Sequence, residues 1–117
     1  MDIIGQSVGV HLLVNVYDVP NVNNLKELTV GLPLLNEIVQ ALNLNVVAQA
    51  GHQFSPVGYS YAYVLSESHF TIHTYPEYRS CYIDIFCCNP QFRSHAAVQK
   101  IKEVFQTENV TYTTMRR

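Results

Sequence analysis

Four strand-like segments follow one another in the middle of the chain, and this succession restricts the fold more than any other feature of the sequence. They cover residues 45–50, 59–65, 69–75 and 78–87, and they are rich in β-branched and aromatic residues, which favour strands. A run of strands that does not alternate with helices is typical of an α+β domain. The middle of the chain therefore predicts a mainly antiparallel sheet.

The flanking segments extend this sheet by two strands. Residues 8–17 are mostly apolar and β-branched, which predicts a buried strand, and residues 110–114 predict a last short one. The segment 51–58 is predicted to be a loop. With two helical segments the element order is βαββββαβ. This order predicts an α+β fold in which helices cover one face of the sheet, and the uncovered face then needs a partner.

Two segments have the apolar spacing of amphipathic helices. The first runs from residue 25 to 42, but Gly31 and Pro33 disturb its middle. Proline suits the first turn of a helix, so the firm helix is predicted to begin near Pro33. Ser94 is predicted to cap a second helix that runs to about residue 106.

Length and charge narrow the class of protein. The chain has 117 residues, enough for one domain, and only 14% of them are charged, which favours an oligomer. The formal net charge is −2 and the one basic run is Arg116–Arg117, so nucleic-acid binding is not expected. No apolar run approaches the length of a membrane span, and residues 1–5 do not resemble a signal peptide.

The three cysteines indicate a reduced environment. Cys81, Cys87 and Cys88 are odd in number, and two of them are adjacent, which argues against a disulfide framework and favours a cytoplasmic protein. Cys81 and Cys87 are predicted to be small buried hydrophobic residues. Cys88 follows a strand and precedes a loop, where a thiol can reach a cleft and act as a general acid. Composition alone does not decide between that role and simple burial.

The segment Ser66–His69 places reactive groups between two predicted strands. If the backbone is strained, the Oγ atom of Ser68 can attack the carbonyl carbon of Glu67 and form an ester. Elimination would then cut the chain, and hydrolysis would leave a pyruvoyl group at residue 68. Such a reaction needs a base and a group that stabilises the oxyanion, and His73 and Ser60 are available. The simpler interpretation is a polar end of an edge strand.

The histidines offer a second, metal-based interpretation. His69 and His73 are four residues apart and so share one face of a strand. With His11, His52 or a cysteine they could form the zinc site of a hydrolase, although ordinary hydrogen-bonded imidazoles are the favoured interpretation. Ser68 and His73 are five residues apart, so a straight strand points them to opposite faces. They meet only if the chain bends or is cut near Ser68.

Five short motifs in a fixed order resemble the prokaryotic-type S-adenosylmethionine decarboxylases, which are pyruvoyl-dependent enzymes of polyamine (spermidine) synthesis. The motifs are Gly9–Val14, His52–Ser60, Ser66–His69, Ile72–Tyr78 and Asp84–Cys88. The resemblance covers most of the chain and is weaker in the last helix. It implies a two-layer α/β protomer, and a homodimer in which two sheets pair into a four-layer αββα body with active sites near the interface.

The resemblance also implies a role for single residues. Ser68 would become the pyruvoyl group that forms a Schiff base with the substrate, through cleavage of one 1–117 domain between Glu67 and Ser68 into residues 1–67 and 68–117. His73 and Ser60 match the processing residues. Cys88 matches the proton donor. Phe54 matches an aromatic residue that stacks on adenine, and Glu77 matches a carboxylate that holds the ribose hydroxyls. A self-made pyruvoyl group acts as an electron sink, so no free cofactor or metal is expected.

Three positions depart from the pattern of the family. Val10 stands where arginine is usual, Asn15 where an acidic residue is usual, and Tyr75 where tryptophan is usual. None belongs to the pyruvoyl machinery, but all three can reshape the substrate pocket. S-adenosylmethionine remains the expected small-molecule substrate, because Phe54 and Glu77 suit a nucleoside. The alternatives are a pyruvoyl-dependent arginine or ornithine decarboxylase and an unprocessed, non-catalytic nucleoside-binding protein.

Overall fold

A computed structural model describes residues 8–117, so the prediction about residues 1–5 lies outside the described part of the chain. Six strands form one sheet in the order β2-β3-β4-β5-β1-β6, and every neighbouring pair is antiparallel. The strands are β1 Val10–Val16, β2 Val46–Gln53, β3 Tyr59–Leu65, β4 His69–Tyr75, β5 Ser80–Cys87 and β6 Val110–Arg116. The predicted α+β class with an antiparallel sheet is confirmed.

Three helices accompany the sheet: α1 Asn23–Lys26, α2 Leu28–Ala41 and α3 Ser94–Phe105. A 3₁₀ turn, Pro76–Tyr78, joins β4 to β5. The buried faces of α2 and α3 share one core with alternate residues of the central strands, such as Leu12, Phe70, Ile72, Ile83 and Ile85. Alternate side chains of a strand point to opposite faces, so the intervening residues lie on the other side of the sheet, which we call the open face. In residues 8–117 no helix is long and apolar enough to cross a membrane.

The first long helix begins earlier than predicted. It starts at Leu28, five residues before Pro33, which lies inside it. The backbone N–H of Leu28 donates to Oε1 of Gln53 at 2.6 Å, which anchors the first turn. Gly31 packs under Tyr59, and a Cβ atom there would lie 1.9 Å from the Tyr59 hydroxyl oxygen. These two contacts from distant strands stabilise the turn that a local proline argument would exclude.

Three further predictions are wrong in detail. Residues 51–53 belong to β2 rather than to a loop, because their pairing with β3 continues to Gln53 opposite Tyr59. Ser94 is the first residue of α3 and does not cap it; Arg93 holds the cap position, without a side-chain hydrogen bond. The segment Ser66–Ser68 joins β3 and β4, which are interior strands of the sheet and not edge strands.

The open face carries exposed apolar side chains in place of a second helical layer. Leu13, Val64, Tyr75, Tyr82 and Met115 are between 37% and 57% exposed. The strand registers place all of them on the side of the sheet opposite the core. A sheet face of this kind is typical of an interaction surface.

Candidate active site

The turn between β3 and β4 is held from both sides. Across the turn, the N–H of Leu65 donates to the carbonyl of Ser68 at 2.9 Å. Asn45 accepts the N–H of Ser66 at its carbonyl, and its side-chain amide donates to Oγ of Ser66 at 2.6 Å. The peptide bond between Glu67 and Ser68 therefore has a defined position at the end of the sheet.

Cys88 reaches this peptide bond with two groups. Its backbone N–H donates to Oγ of Ser68 at 3.0 Å, and its thiol donates to the carbonyl oxygen of Glu67 at 3.3 Å. The register of β4 and β5 explains the contact, because His69 lies opposite Phe86, so the residues just beyond them meet at the sheet end. Glu67, Ser68 and Cys88 line a cleft of about 300 Å³ together with Asn45, Asn89 and Pro90, and we call it the Ser68 cleft.

Ser60 and His73 form a second pair on the open face. They lie directly opposite each other on β3 and β4, and Oγ of Ser60 is 2.6 Å from Nδ1 of His73. This short hydrogen bond ties the imidazole ring to a hydroxyl group. The arrangement places a candidate base next to a hydroxyl group.

The same pair lines a separate cleft of about 300 Å³, which also contains Phe54 and Glu77. We call it the His73 cleft. Phe54 is 47% exposed, and its ring packs edge-on against His52 at a centroid distance of 4.7 Å. Glu77 lies in the 3₁₀ turn after β4. An exposed aromatic face and a carboxylate in one cleft suit a ligand with a flat ring and hydroxyl groups.

The seven predicted site residues thus form two groups that do not meet within one protomer. Ser68 precedes β4, whereas His73 is five residues further along, a separation of about 16 Å at 3.3 Å per residue. Strand β4 is hydrogen-bonded on both sides, so it cannot bend to close this distance. Within a single chain, Ser68 and His73 therefore do not meet.

A cluster that sequence reasoning missed lies next to the Ser68 cleft. Phe86 is its centre, with His11 and His69 at ring-centroid distances of 6.2 and 5.8 Å and the Arg117 guanidinium 5.3 Å above the ring. We call these four residues the Phe86 cluster. Desolvation, and then the charge of His11, lower the pKa of His69, and Arg117 adds to this effect while Asp84 opposes it. Nε2 of His11 is buried and has no hydrogen-bond partner within residues 8–117.

The burial of the cysteines agrees with the prediction for Cys81 and Cys87. Cys81 and Cys87 are buried, whereas Cys88 is partly exposed at the cleft. Burial raises the pKa of the Cys81 thiol, which keeps that group protonated. Among the described residues no group of three or more histidine, cysteine and acidic side chains is arranged to hold a metal ion.

Comparisons with known proteins give one consistent family. A family model described as S-adenosylmethionine decarboxylase matches residues 10–117. The S-adenosylmethionine decarboxylase proenzyme of Clostridium botulinum (strain Loch Maree / Type A3) is 38% identical over 95 residues, which cover 81% of each chain. The proenzyme of the same name from Thermodesulfovibrio yellowstonii is 32% identical over 111 residues, 95% of this chain and 82% of the relative.

The fold is also similar to that of a solved structure. The crystal structure of the adenosylmethionine decarboxylase from Aquifex aeolicus vf5 matches with a TM-score of 0.85 over 97% of this chain and 92% of that chain. The two sequences are 24% identical, so this match supports the architecture alone.

Proposed function

The chain belongs to the S-adenosylmethionine decarboxylase family, and we propose that it decarboxylates S-adenosylmethionine with a pyruvoyl group made from its own Ser68. The observation that carries this proposal is the contact of Cys88 with both sides of the Glu67–Ser68 peptide bond. The named relatives are proenzymes, a term that supports maturation by cleavage. The activity would supply decarboxylated S-adenosylmethionine as an aminopropyl donor for polyamine synthesis.

Maturation begins at the Ser68 hydroxyl. Oγ attacks the carbonyl carbon of Glu67, the amide nitrogen of Ser68 takes up a proton and leaves, and an ester replaces the peptide bond. Loss of the Cα proton of residue 68 then expels the Glu67 carboxylate and breaks the chain. Water hydrolyses the resulting enamine, through its imine form, to a keto group and ammonia. Residues 1–67 and 68–117 become separate chains.

Cys88 prepares both reactants of the first step. Its thiol donates to the Glu67 carbonyl oxygen, which withdraws electron density from the carbon under attack and stabilises the oxyanion that forms. Its backbone N–H donates to Oγ of Ser68, which orients a lone pair and leaves the hydroxyl proton free for a base. The residues present therefore fit the formation of a pyruvoyl group at this position.

The base comes from a second copy of the chain. Ser60 and His73 are hydrogen-bonded and suited to proton transfer, yet His73 lies about 16 Å along β4 from the Ser68 of its own protomer. A two-fold axis brings equivalent surfaces together, so the Ser60–His73 pair of one protomer can meet the Ser68 cleft of its partner, and the reverse. Each dimer then holds two composite sites.

The open face supplies the surface for this dimer. It carries the Ser60–His73 pair together with the exposed apolar residues Leu13, Tyr75 and Tyr82. Pairing two such faces gives the αββα body and buries apolar area that one protomer exposes to water. The open face, whose apolar residues are exposed in one protomer, thus also carries the Ser60–His73 pair, which must reach the Ser68 cleft of a second protomer.

Turnover uses both groups of residues. The pyruvoyl carbonyl, joined to the substrate amine, supplies the electron sink that takes up the charge left when carbon dioxide departs. Phe54 stacks on the adenine, and the positively charged sulfonium adds attraction to its ring face. Glu77 accepts hydrogen bonds from the ribose hydroxyls. The thiol of Cys88, at the end of β5, delivers a proton to the α-carbon.

Fragment masses and gas release test the proposal. Purified protein should give two fragments with masses for residues 1–67 and a keto-terminated 68–117, and it should release carbon dioxide from S-adenosylmethionine rather than from arginine or ornithine. Ser68→Ala should stay intact. Ser66→Ala keeps the backbone hydrogen bond to Asn45 that holds the same turn, so it should still cleave. A wild-type chain that stays whole with an unmodified Ser68 overturns the proposal, and release from arginine or ornithine alone overturns the substrate.

A further inference from the structure

We infer that Arg117, assisted by His11, binds the α-carboxylate of the substrate on the open face beside the Ser68 cleft. This inference rests on the proposed function and names a group that selects α-amino acids. It uses the Phe86 cluster, which no step of maturation or turnover described above requires.

Gly9 determines where the Arg117 side chain lies. The two residues exchange backbone hydrogen bonds of 3.0 Å in each direction, so they are directly opposite each other and share a face. A Cβ atom on Gly9 would lie 3.1 Å from Sγ of Cys88. It would also lie 2.7 Å from the carbonyl oxygen of Cys87, so glycine allows the backbone of residue 9 to approach the thiol closely. The Arg117 guanidinium extends from this position over Phe86.

Within residues 8–117, the charge of Arg117 has no acidic partner and can bind a ligand. In the described part of the chain no carboxylate lies within 4.0 Å of its guanidinium, and this group donates no hydrogen bond. In contrast, the guanidinium groups of Arg79 and Arg93 donate to backbone carbonyls. His11 belongs to the same cluster, and its Nε2 atom has no hydrogen-bond partner within residues 8–117, which is costly for a buried polar atom. A carboxylate there satisfies both groups.

The geometry of an α-amino acid matches this arrangement. Its amine and carboxylate are attached to one carbon atom, so a substrate joined at residue 68 must place its carboxylate within a few ångströms of that residue. His69 follows residue 68 directly, and Phe86 lies two residues before Cys88, so the Phe86 cluster borders both reacting groups. A guanidinium group holds a carboxylate through two parallel hydrogen bonds, which also orients the carbon–carbon bond that will break.

This interaction forms when the substrate binds and lasts until the carbon–carbon bond has broken. The carboxylate keeps part of its charge in the transition state, so the contact with Arg117 is made in the ground state and in the transition state. Binding energy that both states share lowers KM without raising kcat. We therefore expect the loss of Arg117 to appear mainly in KM, and to leave ligands without a carboxylate unaffected.

The test compares two adjacent arginines in cleaved wild-type and variant dimers. Arg117→Gln should raise KM for S-adenosylmethionine roughly 10- to 100-fold, the value of a charge-assisted contact, with kcat changed by less than about threefold. The inhibition constant of the product, decarboxylated S-adenosylmethionine, should stay unchanged. Arg116→Gln is the matched control, because residue 116 lies opposite Val10 on the helix-covered face and should change neither constant. Arg117→Lys should be intermediate.

Three results overturn the inference. The first is a KM in Arg117→Gln within twofold of the wild-type value. The second is a parallel rise in the inhibition constant of the product, which would show a role elsewhere in the pocket. The third is loss of chain cleavage in both Arg117 variants, which would assign the residue to maturation. Wild-type dimers that release no carbon dioxide from S-adenosylmethionine would instead contradict the proposed function, so the two failures are distinguishable.

Discussion

The thiol of Cys88 donates a hydrogen bond to the carbonyl oxygen of Glu67 across a distance of 3.3 Å. The proposed proton donor of turnover thus contacts the carbonyl group that is attacked in the proposed maturation. After the proposed cleavage, Glu67 and residue 68 would belong to separate chains. One side chain is then available for two successive tasks, first on the protein backbone and later on the substrate.

Cys88→Ser should separate these two tasks. A hydroxyl group still donates a hydrogen bond to Glu67, so the two fragments should form. It is a much weaker acid than a thiol, so turnover should fall by roughly 10²–10⁴, the usual contribution of a positioned proton donor. Fragment analysis by electrophoresis and carbon dioxide release measure the two steps. Cys87→Ala, a change on the helix-covered face, should keep wild-type-like turnover. A fully active Cys88→Ser enzyme would assign the proton to another group.

Mixed dimers should reveal the proposed composite site. His73→Ala and Ser68→Ala, each expressed alone, should remain uncut, because one lacks the base and the other lacks the nucleophile. In a mixed dimer the intact Ser68 of the first variant faces the intact His73 of the second. Co-expression should therefore yield cleaved His73→Ala chains, which carry residue 73 as alanine in the 68–117 fragment.

Mass spectrometry identifies that fragment, because only the His73→Ala chain contains both Ser68 and Ala at position 73. Ser60→Ala paired with Ser68→Ala should behave in the same way, since Ser60 holds the imidazole of His73 at 2.6 Å. The matched control co-expresses His73→Ala with Ser60→Ala. In that mixed dimer one site lacks Ser60 and the other lacks His73, so neither site is complete and cleavage should not be restored. If His73→Ala chains stay whole in every mixture, the pair does not act across the interface.

Sequence reasoning was successful where the signal is local. The bounds of β3 and β4 agree with the predicted 59–65 and 69–75, because alternate residues such as Tyr59, Tyr63, Phe70 and Ile72 are apolar and face the core. Contacts that depend on register were not predictable. The contact of Cys88 with Glu67 follows from the pairing of β4 with β5, which no single segment determines. The early start of α2 follows from contacts with strands more than twenty residues away.

The Phe86 cluster shows the same limit at the candidate site. Its members come from β1, β4, β5 and the residue after β6, and three strand registers must be known before they fall together. His11 and Arg117 are separated by almost the whole chain. The alternation of apolar residues indicates on which face of its strand a residue lies, but it does not indicate which strand is the neighbour. The motifs therefore indicate the candidate reacting residues, whereas the groups around them become visible only in the structure.

Glu77→Gln should weaken substrate binding without affecting maturation. Glu77 lies in the His73 cleft beside Phe54, and an amide replaces its charged acceptor with a neutral group of the same size. Loss of charge-assisted hydrogen bonds to the ribose should raise KM for S-adenosylmethionine roughly 10- to 100-fold. Initial-rate kinetics measure this effect on cleaved enzyme. Glu108→Gln, at a carboxylate 89% exposed next to Lys102, should leave KM unchanged. An unchanged KM in Glu77→Gln would remove this residue from the substrate site.

The stability of the uncut chain should fall as the pH falls below the ordinary histidine range. The folded protein lowers the pKa of His69, chiefly through desolvation and then through His11, so the unfolded chain binds a proton at a higher pH than the folded chain does. The contribution of neutral His69 is complete above the unfolded value of about 6.5 and is lost as the pH falls from there through the folded pKa. Urea unfolding of Ser68→Ala at pH 7.5 and 5.5 measures the loss. Adding His69→Gln should reduce the difference between the two conditions, whereas adding His95→Gln, at an exposed position, should not. Equal differences in both double variants would show that His69 is not the group responsible.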